Sequence, residues 1–364
     1  MIAFIASTPF QIWNAIVMKE KLFRDENSDI YIIDHFADYN VIAERLKKEQ
    51  VFEDVFACQT KDFEFVTQKN PFVRKLIQAC HFIGWRGYMK KRFPVNKKYS
   101  KVIIASHDSV RTIMVCKMKK YNPDLEALFF EDGAYDYLWN VHGKHTGLKY
   151  WFGKLVGINY DHTDNIKKDY VLCPECVLNS RFELLKIPNI DIDKDKDLIQ
   201  IINRVFDYKP YNISSKMVYL YQPLGETSTN ETNALIKRIA DVFGKENVIL
   251  KDHPRLPAKS SDIEKIPKEK ECLWECMVMN NDFSNKILIT PFSTASYTSK
   301  FLFGKEPTII YLYEVLQSSG MMPKDKEAFS AFVNKLKECY SDPNKVFVPK
   351  TEEELFNYLE KCVK

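Results

Sequence analysis

Short apolar runs that end in a turn and hand over to a helical stretch recur along this chain, and that alternation limits its fold more than any single residue does. Met1 to Ala6 is the first run, and Ser7-Thr8-Pro9-Phe10-Gln11 follows it. That junction reads as a helix start in three ways: Thr8 as N-cap, Pro9 at the first helical position and Gln11 completing a capping box. Trp13, Ile16 and Val17 then share one helical face. Strand-like runs at Asp29 to Asp34, Val51 to Ala57, Lys101 to Ser106 and Glu126 to Phe130 continue the pattern, with helical stretches at Asp38 to Gln50 and Asp108 to Lys120. It restarts at Met217 to Gly225, with further strands at Asn247 to Lys251, Lys286 to Thr290 and Pro307 to Tyr313. Helices are expected at Glu231 to Phe243, Lys326 to Tyr340 and Glu352 to Val363.

Strands alternating with helices imply parallel α/β sheets, and 364 residues exceed one ordinary domain. The expectation is two Rossmann-like, doubly wound domains facing a cleft, residues 1–207 and 208–364, linked around Asp207 to Ser215.

Composition removes several classes. The chain is 45% hydrophobic and 28% charged, and no apolar run approaches the ~20 residues that span a bilayer. Met1 to Ala6 lacks the basic start of a secretion signal, which leaves a cytoplasmic protein as the expectation. Nine cysteines, an odd number without framework spacing, fit reduced thiols. Cys173-Pro174-Glu175-Cys176 could be a redox dithiol or half of a zinc site, but Cys272 and Cys276 have the wrong spacing to complete a zinc ribbon, and no metal is expected. The run from Asp191 to Asp197 lacks the glycine and terminal glutamate of a calcium loop and reads as a solvated connector.

Net charge is only +4, but its distribution is uneven. Between Val66 and His107 there is no acidic residue, and ten basic ones from Lys69 to Lys101 are interleaved with Phe72, Phe82, Trp85, Tyr88 and Phe93. Such a segment suits an anionic membrane surface or an anionic polymer, or is a solvated basic helix whose aromatics enter the core. No nucleic-acid module surrounds it, so nucleic acid is not an expected partner. The aromatic stretches Leu148 to Phe152 and Leu155 to Tyr160 suit a lid, a membrane-facing loop or core.

In an open α/β sheet, ligands bind outside the carboxyl ends of the strands. Leu128-Phe129-Phe130 delivers Glu131 and Asp132 to such an end, and Gly133 permits a sharp turn after them. The plain alternative, two acids that end a strand and open a turn, stays open. In the second half, Lys251 ends a strand before Asp252-His253-Pro254, and Pro254 biases His253 toward an extended conformation that aims its ring out of the sheet edge. Ser293 and Thr294 follow another strand and open a helix, where hydroxyls and free amides make a phosphate site.

A Glu-Asp-Gly in the first half, a His-Pro in the second and a Ser-Thr beyond it stand in the order of the motifs of bacterial GT-B sialyltransferases. The opening Ser7-Thr8-Pro9-Phe10-Gln11 also resembles the amino-terminal signature of glycosyltransferase family 52, which includes lipooligosaccharide and capsule sialyltransferases. The resemblance implies a GT-B fold and an inverting transfer of sialic acid from CMP-sialic acid to a sugar hydroxyl of a bacterial surface glycan. It implies no cofactor and no obligatory metal.

Carried over, it makes Asp132 the general base, with Glu131 its rival, and has His253 assist departure of the CMP phosphate. Ser293 and Thr294 bind that phosphate, Lys251 and Pro254 border the donor, and Thr8, Pro9, Gln11 and Gly133 line the rest of the cleft. Partners would be a nucleotide-sugar donor, a glycan or glycolipid acceptor, and the inner face of an anionic membrane. A different nucleotide-sugar transferase such as a glucosyltransferase, a teichoic-acid-type glycerophosphotransferase, and a non-catalytic glycan or nucleotide-sugar binding protein are the alternatives.

Overall fold

A computed structural model describes residues 1–64, 66–67, 69–138, 143–222, 224–253, 263–316 and 321–363. The expected doubly wound α/β architecture is present twice. Seven strands form the first sheet: β1 (Ile2–Ala6), β2 (Ser28–Ile33), β3 (Val55–Cys58), β4 (Lys101–Ile104), β5 (Glu126–Phe130), β6 (Lys168–Val171) and β7 (Glu183–Lys186). They lie in the order β3-β2-β1-β4-β5-β6-β7, every pairing parallel. Five strands form the second: β8 (Met217–Leu220), β9 (Val248–Lys251), β10 (Ile287–Thr290), β11 (Thr308–Tyr311) and β12 (Val346–Phe347). Their order is β12-β11-β10-β8-β9, again parallel. Chain order reverses between β1 and β4 and between β8 and β10, the places where such sheets leave a crevice at their carboxyl edges.

Both faces of each sheet are covered, because successive strand residues point to opposite sides. Phe4 of β1 packs toward the helices Pro9–Lys21, Tyr39–Glu49 and Lys196–Val205, while Ile5 packs toward Trp85–Arg92 and Ser109–Lys119. In the second sheet, Tyr219 meets the helices Glu226–Phe243 and Glu352–Val363, and Val218 meets Trp274–Asn280. Burying one large apolar side chain in this way contributes roughly 1.5–3 kcal/mol.

The two sheets are joined by residues 208–216, which form no helix or strand. They are also joined by packing: one apolar cluster runs from β1 and its helix to Phe301, Leu302, Tyr311 and Phe329. Trp13, fully buried, meets Phe303 at 6.1 Å between ring centroids, and the Ile190 N–H donates to the Leu302 carbonyl at 2.9 Å.

Strands β6 and β7 have no counterpart among the sequence-predicted elements. Asp169, buried in the middle of β6, interrupts the apolar run that would mark a strand, and β7 is only partly buried. The helix expected from Glu231 begins at Glu226 instead, because its polar first turns resemble a loop in composition. The acidic run after Asp191 is a turn rather than a loose connector. Asp195 accepts from the Asp191 N–H at 2.7 Å and pairs with Lys21, and the helix Lys196–Val205 starts there.

The basic segment folds as two helices, Pro71–Ile83 and Trp85–Arg92. Its aromatics are not one lipid-facing set. Trp85 and Phe93 are buried under the first sheet, Phe82 and Tyr88 pack against the same core, and Phe72 is 77% exposed. Several of its cations are paired, Lys97 with Asp29 at 3.0 Å and Arg92 with Asp62 at 3.3 Å.

Candidate active site

At the carboxyl end of β5 the two adjacent acids part company, as alternation along an extended backbone requires. Glu131 turns inward and is fully buried, whereas Asp132 is exposed. One Glu131 oxygen, Oε2, accepts from the Tyr137 hydroxyl at 2.6 Å and from the Leu172 N–H at 2.7 Å. The other, Oε1, is buried without a hydrogen-bond partner. Burial pushes this carboxyl up to about 8, so Glu131 is mainly neutral at pH 7.

The turn is held from below. Asp136 is buried and accepts from the N–H groups of Asp132 at 2.6 Å and Gly133 at 3.3 Å; burial raises its carboxyl as well. Gly133 has φ of 128°, a backbone conformation glycine adopts without a side-chain clash.

Asp132 is tied to the end of β1. Its Oδ1 accepts from the side-chain amide of Gln11, which is itself buried. Thr8 caps the helix as expected, accepting from the Gln11 N–H at 3.2 Å, and Pro9 is its first residue. The expected capping box does not form. Gln11 Oε1 accepts instead from the Ser7 N–H at 2.7 Å and the Ser7 hydroxyl at 3.2 Å, because its amide is drawn to Asp132. Buried Arg111 extends this network, donating to Ser7 Oγ, to Ser106 Oγ at 2.9 Å and to Asp108. Residues from the ends of β1, β4 and β5 thus converge beside the point of strand-order reversal.

In the second sheet, His253 is half-buried two residues beyond β9, and Pro254 lies outside the described residues. Lys251 is buried and its ammonium is committed locally, 3.7 Å from Glu271 and 3.0 Å from the Asp252 carbonyl. Ser293 and Thr294 are half-buried after β10. They open a single 3₁₀ turn, Thr294–Ser296, before the short helix Thr298–Phe303. Four amides around this turn are engaged locally. Phe292 N–H donates to Gln222 at 2.8 Å, Ser293 N–H to Thr290 at 3.1 Å, Ala295 N–H to Ser293 Oγ at 3.4 Å, and Ser296 N–H to the Ser293 carbonyl at 3.2 Å. Gln222, from the end of β8, reaches across the reversal point and takes up the Phe292 amide and the Thr290 hydroxyl.

The two motif regions do meet. Tyr137, which holds Glu131, packs edge-on against Tyr297, four positions past Ser293, with ring centroids 5.7 Å apart.

A further group had no place in the sequence reading. His145 Nδ1 lies 2.7 Å from Asp164 Oδ1, and the His145 N–H donates to Oδ2 at 2.8 Å. His107, just beyond β4, sets its ring edge-on to His145 at 4.8 Å. Ligand atoms of these three lie within 4.8 Å of one another, but both Asp164 oxygens are engaged by His145, which fits an oriented imidazole better than a metal site. His107 was findable by the reasoning applied to Glu131 and Asp132, a polar residue at a strand's carboxyl end. His145 and Asp164, nineteen positions apart, carry no local signal.

No family model matches the chain, and neither does any curated protein. Solved structures to which it is similar include the glycotransferase of kitacinnamycin, at 10% identity over 100% of this chain and 90% of that one, TM-score 0.49. Others are E. coli heptosyltransferase WaaC with ADP, at 12% identity over 100% of both chains, TM-score 0.41, and a UDP-N-acetylglucosamine 2-epimerase, at 11% identity over 94% and 88%, TM-score 0.40. Identities and scores this low leave the residues of this chain to carry its chemistry.

Proposed function

We propose that the protein is a glycosyltransferase that moves a sugar from a nucleotide donor to a hydroxyl acceptor, with Asp132 as general base. The observation that carries this reading is the split of the acid pair. Asp132 faces solvent at the carboxyl edge, fixed by Gln11, while Glu131 is buried and mainly neutral at pH 7. A general base must be reachable by the acceptor hydroxyl and must not already hold a proton; buried, mainly neutral Glu131 meets neither condition, which leaves exposed Asp132 of the pair.

In the reaction, the acceptor oxygen forms the new bond to the anomeric carbon as its proton passes to Asp132. The bond from that carbon to the donor phosphate oxygen breaks, and the electron pair leaves with the nucleotide. His253 stabilises charge on the departing phosphate, and the Ser293 and Thr294 side chains border it. The donor we favour is CMP-sialic acid and the acceptor a bacterial surface glycan, because the spaced motifs together resemble family 52 more than any one of them does. A second reading has His145, oriented by Asp164, as the base, since that pair has the donor and acceptor geometry of an activated imidazole.

We place the enzyme at the inner face of the cytoplasmic membrane. Among the described residues no helix is long and apolar enough to cross a membrane. The helix Gly147–Leu155 instead exposes Leu148, Trp151 and Leu155 along one stripe, and Pro71–Ile83 exposes Phe72, Leu76 and Ile83. Trp85 Nε1–H, just past the second of these helices, donates at 2.9 Å to the carbonyl of Val156, just past the first, so the chain segments that follow the two helices are in contact.

A donor screen with mass-spectrometric detection tests the proposal, using CMP-sialic acid, CDP-glycerol and UDP-sugars with a mixed glycan acceptor. Consumption of CMP-sialic acid with a sialylated product is expected. Consumption of CDP-glycerol alone identifies a glycerophosphotransferase, a UDP-sugar another glycosyltransferase, and tight binding without turnover a nucleotide-sugar binding protein.

A further inference from the structure

Three sulfurs that lie far apart in the sequence meet where the two sheets join. Cys173 and Cys176 sit on the short turn after β6, and Cys339 caps the helix Pro323–Glu338 of the second half. Their Sγ atoms are 3.4 Å (Cys173 to Cys176), 3.9 Å (Cys173 to Cys339) and 3.3 Å (Cys176 to Cys339) apart, and none is in a disulfide. From the geometry we infer that this is a zinc site clamping the two halves of the chain, with three thiolates from Cys173, Cys176 and Cys339 and the fourth position facing the Glu175 carboxylate.

Tetrahedral zinc with Zn–S bonds of about 2.3 Å sets its sulfurs about 3.8 Å apart, within a few tenths of an ångström of the spacing here. Glu175 Oε2 is 3.3 Å from Cys173 Sγ, so a hard ligand stands beside one of the three sulfurs. The scaffold holds this arrangement from both sides. The Cys176 N–H donates to the Cys173 carbonyl at 3.0 Å, closing the turn. Lys335, one helical turn before Cys339, donates to the carbonyls of Glu175 at 3.1 Å and Val177 at 3.2 Å, bracketing Cys176. Zinc with three thiolates and a carboxylate carries net negative charge, and the Lys335 ammonium held on the backbone around Cys176 is placed to offset part of it.

Cys272 and Cys276, the other close pair in the sequence, take no part in this cluster. The site also touches the acid-bearing turn, because the Cys173 N–H donates at 3.2 Å to the Tyr137 hydroxyl that holds Glu131. Metal binding would therefore fix the loop that presents Asp132, although the site itself stands whatever reaction that loop serves.

The test is metal analysis of the full chain purified under reducing, chelator-free conditions. About one zinc per chain is expected by mass spectrometry of the digested protein. It should fall to background in Cys176→Ser and Cys339→Ser and persist in Cys272→Ser. Cobalt(II) added to metal-free wild-type protein needs no variant. It should give thiolate-to-cobalt charge transfer in the near ultraviolet and the strong visible bands of a tetrahedral site. No such spectrum with all thiols reduced, undiminished zinc in Cys339→Ser, or a Cys176–Cys339 disulfide in freshly isolated protein would each overturn the assignment.

Discussion

Replacing Glu131 with glutamine separates a buried neutral acid from a catalytic base. The carboxyl is raised by burial from 4.5 to about 8. The folded protein therefore holds its proton more tightly than the unfolded chain does. Stability from this source is fully present below the unfolded value and is lost as pH rises through the folded one. Between about pH 6 and about pH 9, a shift of that size removes on the order of 3 kcal/mol from the wild type. Glu131→Gln has no proton to lose and should not show that loss.

The amide can still accept from Tyr137 and Leu172, but its NH₂ group falls where Oε1 has no partner. That costs about 1–3 kcal/mol at either pH and cancels when the two pH values are compared. Urea unfolding of both proteins at the two pH values, followed by tryptophan fluorescence, measures the difference. Parallel losses in wild type and variant would refute the burial argument. A fall of ~10²-fold or more in the variant's turnover at neutral pH would make Glu131, not Asp132, the base.

Asp132→Asn should lower turnover by ~10²–10⁴-fold while nucleotide affinity by calorimetry stays the same; loss of nucleotide binding with an intact fold would contradict a base in the first half of the chain. His253→Ala should weaken both turnover and nucleotide affinity, and unaltered kinetics would remove His253 from the site. The double variant Trp151→Ser, Leu155→Ser should sediment less with anionic vesicles than wild type while circular dichroism is unchanged. Equal sedimentation would show that the exposed stripe is not what meets lipid.

Much of the fold was legible because its signals are local. Apolar runs, a Thr8-Pro9 helix start and a second series of βα units after Met217 are short-range patterns, and they predicted two parallel sheets. Where local signals conflict with burial, sequence pattern and structure diverge. Asp169 hides a strand because a buried acid has no place in an apolar pattern, and Ser293 looked like the start of a helix but opens one tight turn. The site was half legible for the same reason: an acid pair at a strand end can be read off the sequence, but which acid faces outward depends on register.

The sequence by itself determined the two α/β units and the residue types at the strand ends, since periodicity and turn chemistry act over a few residues. Only the tertiary structure decided the rest. It buried Glu131 and exposed Asp132, joined Gln11 to Asp132 across 121 positions, oriented His145 on Asp164 and brought Cys339 to Cys176 across 163. Those contacts arise where chain segments distant in sequence pack together, and packing at that range leaves no periodic trace in the order of residues.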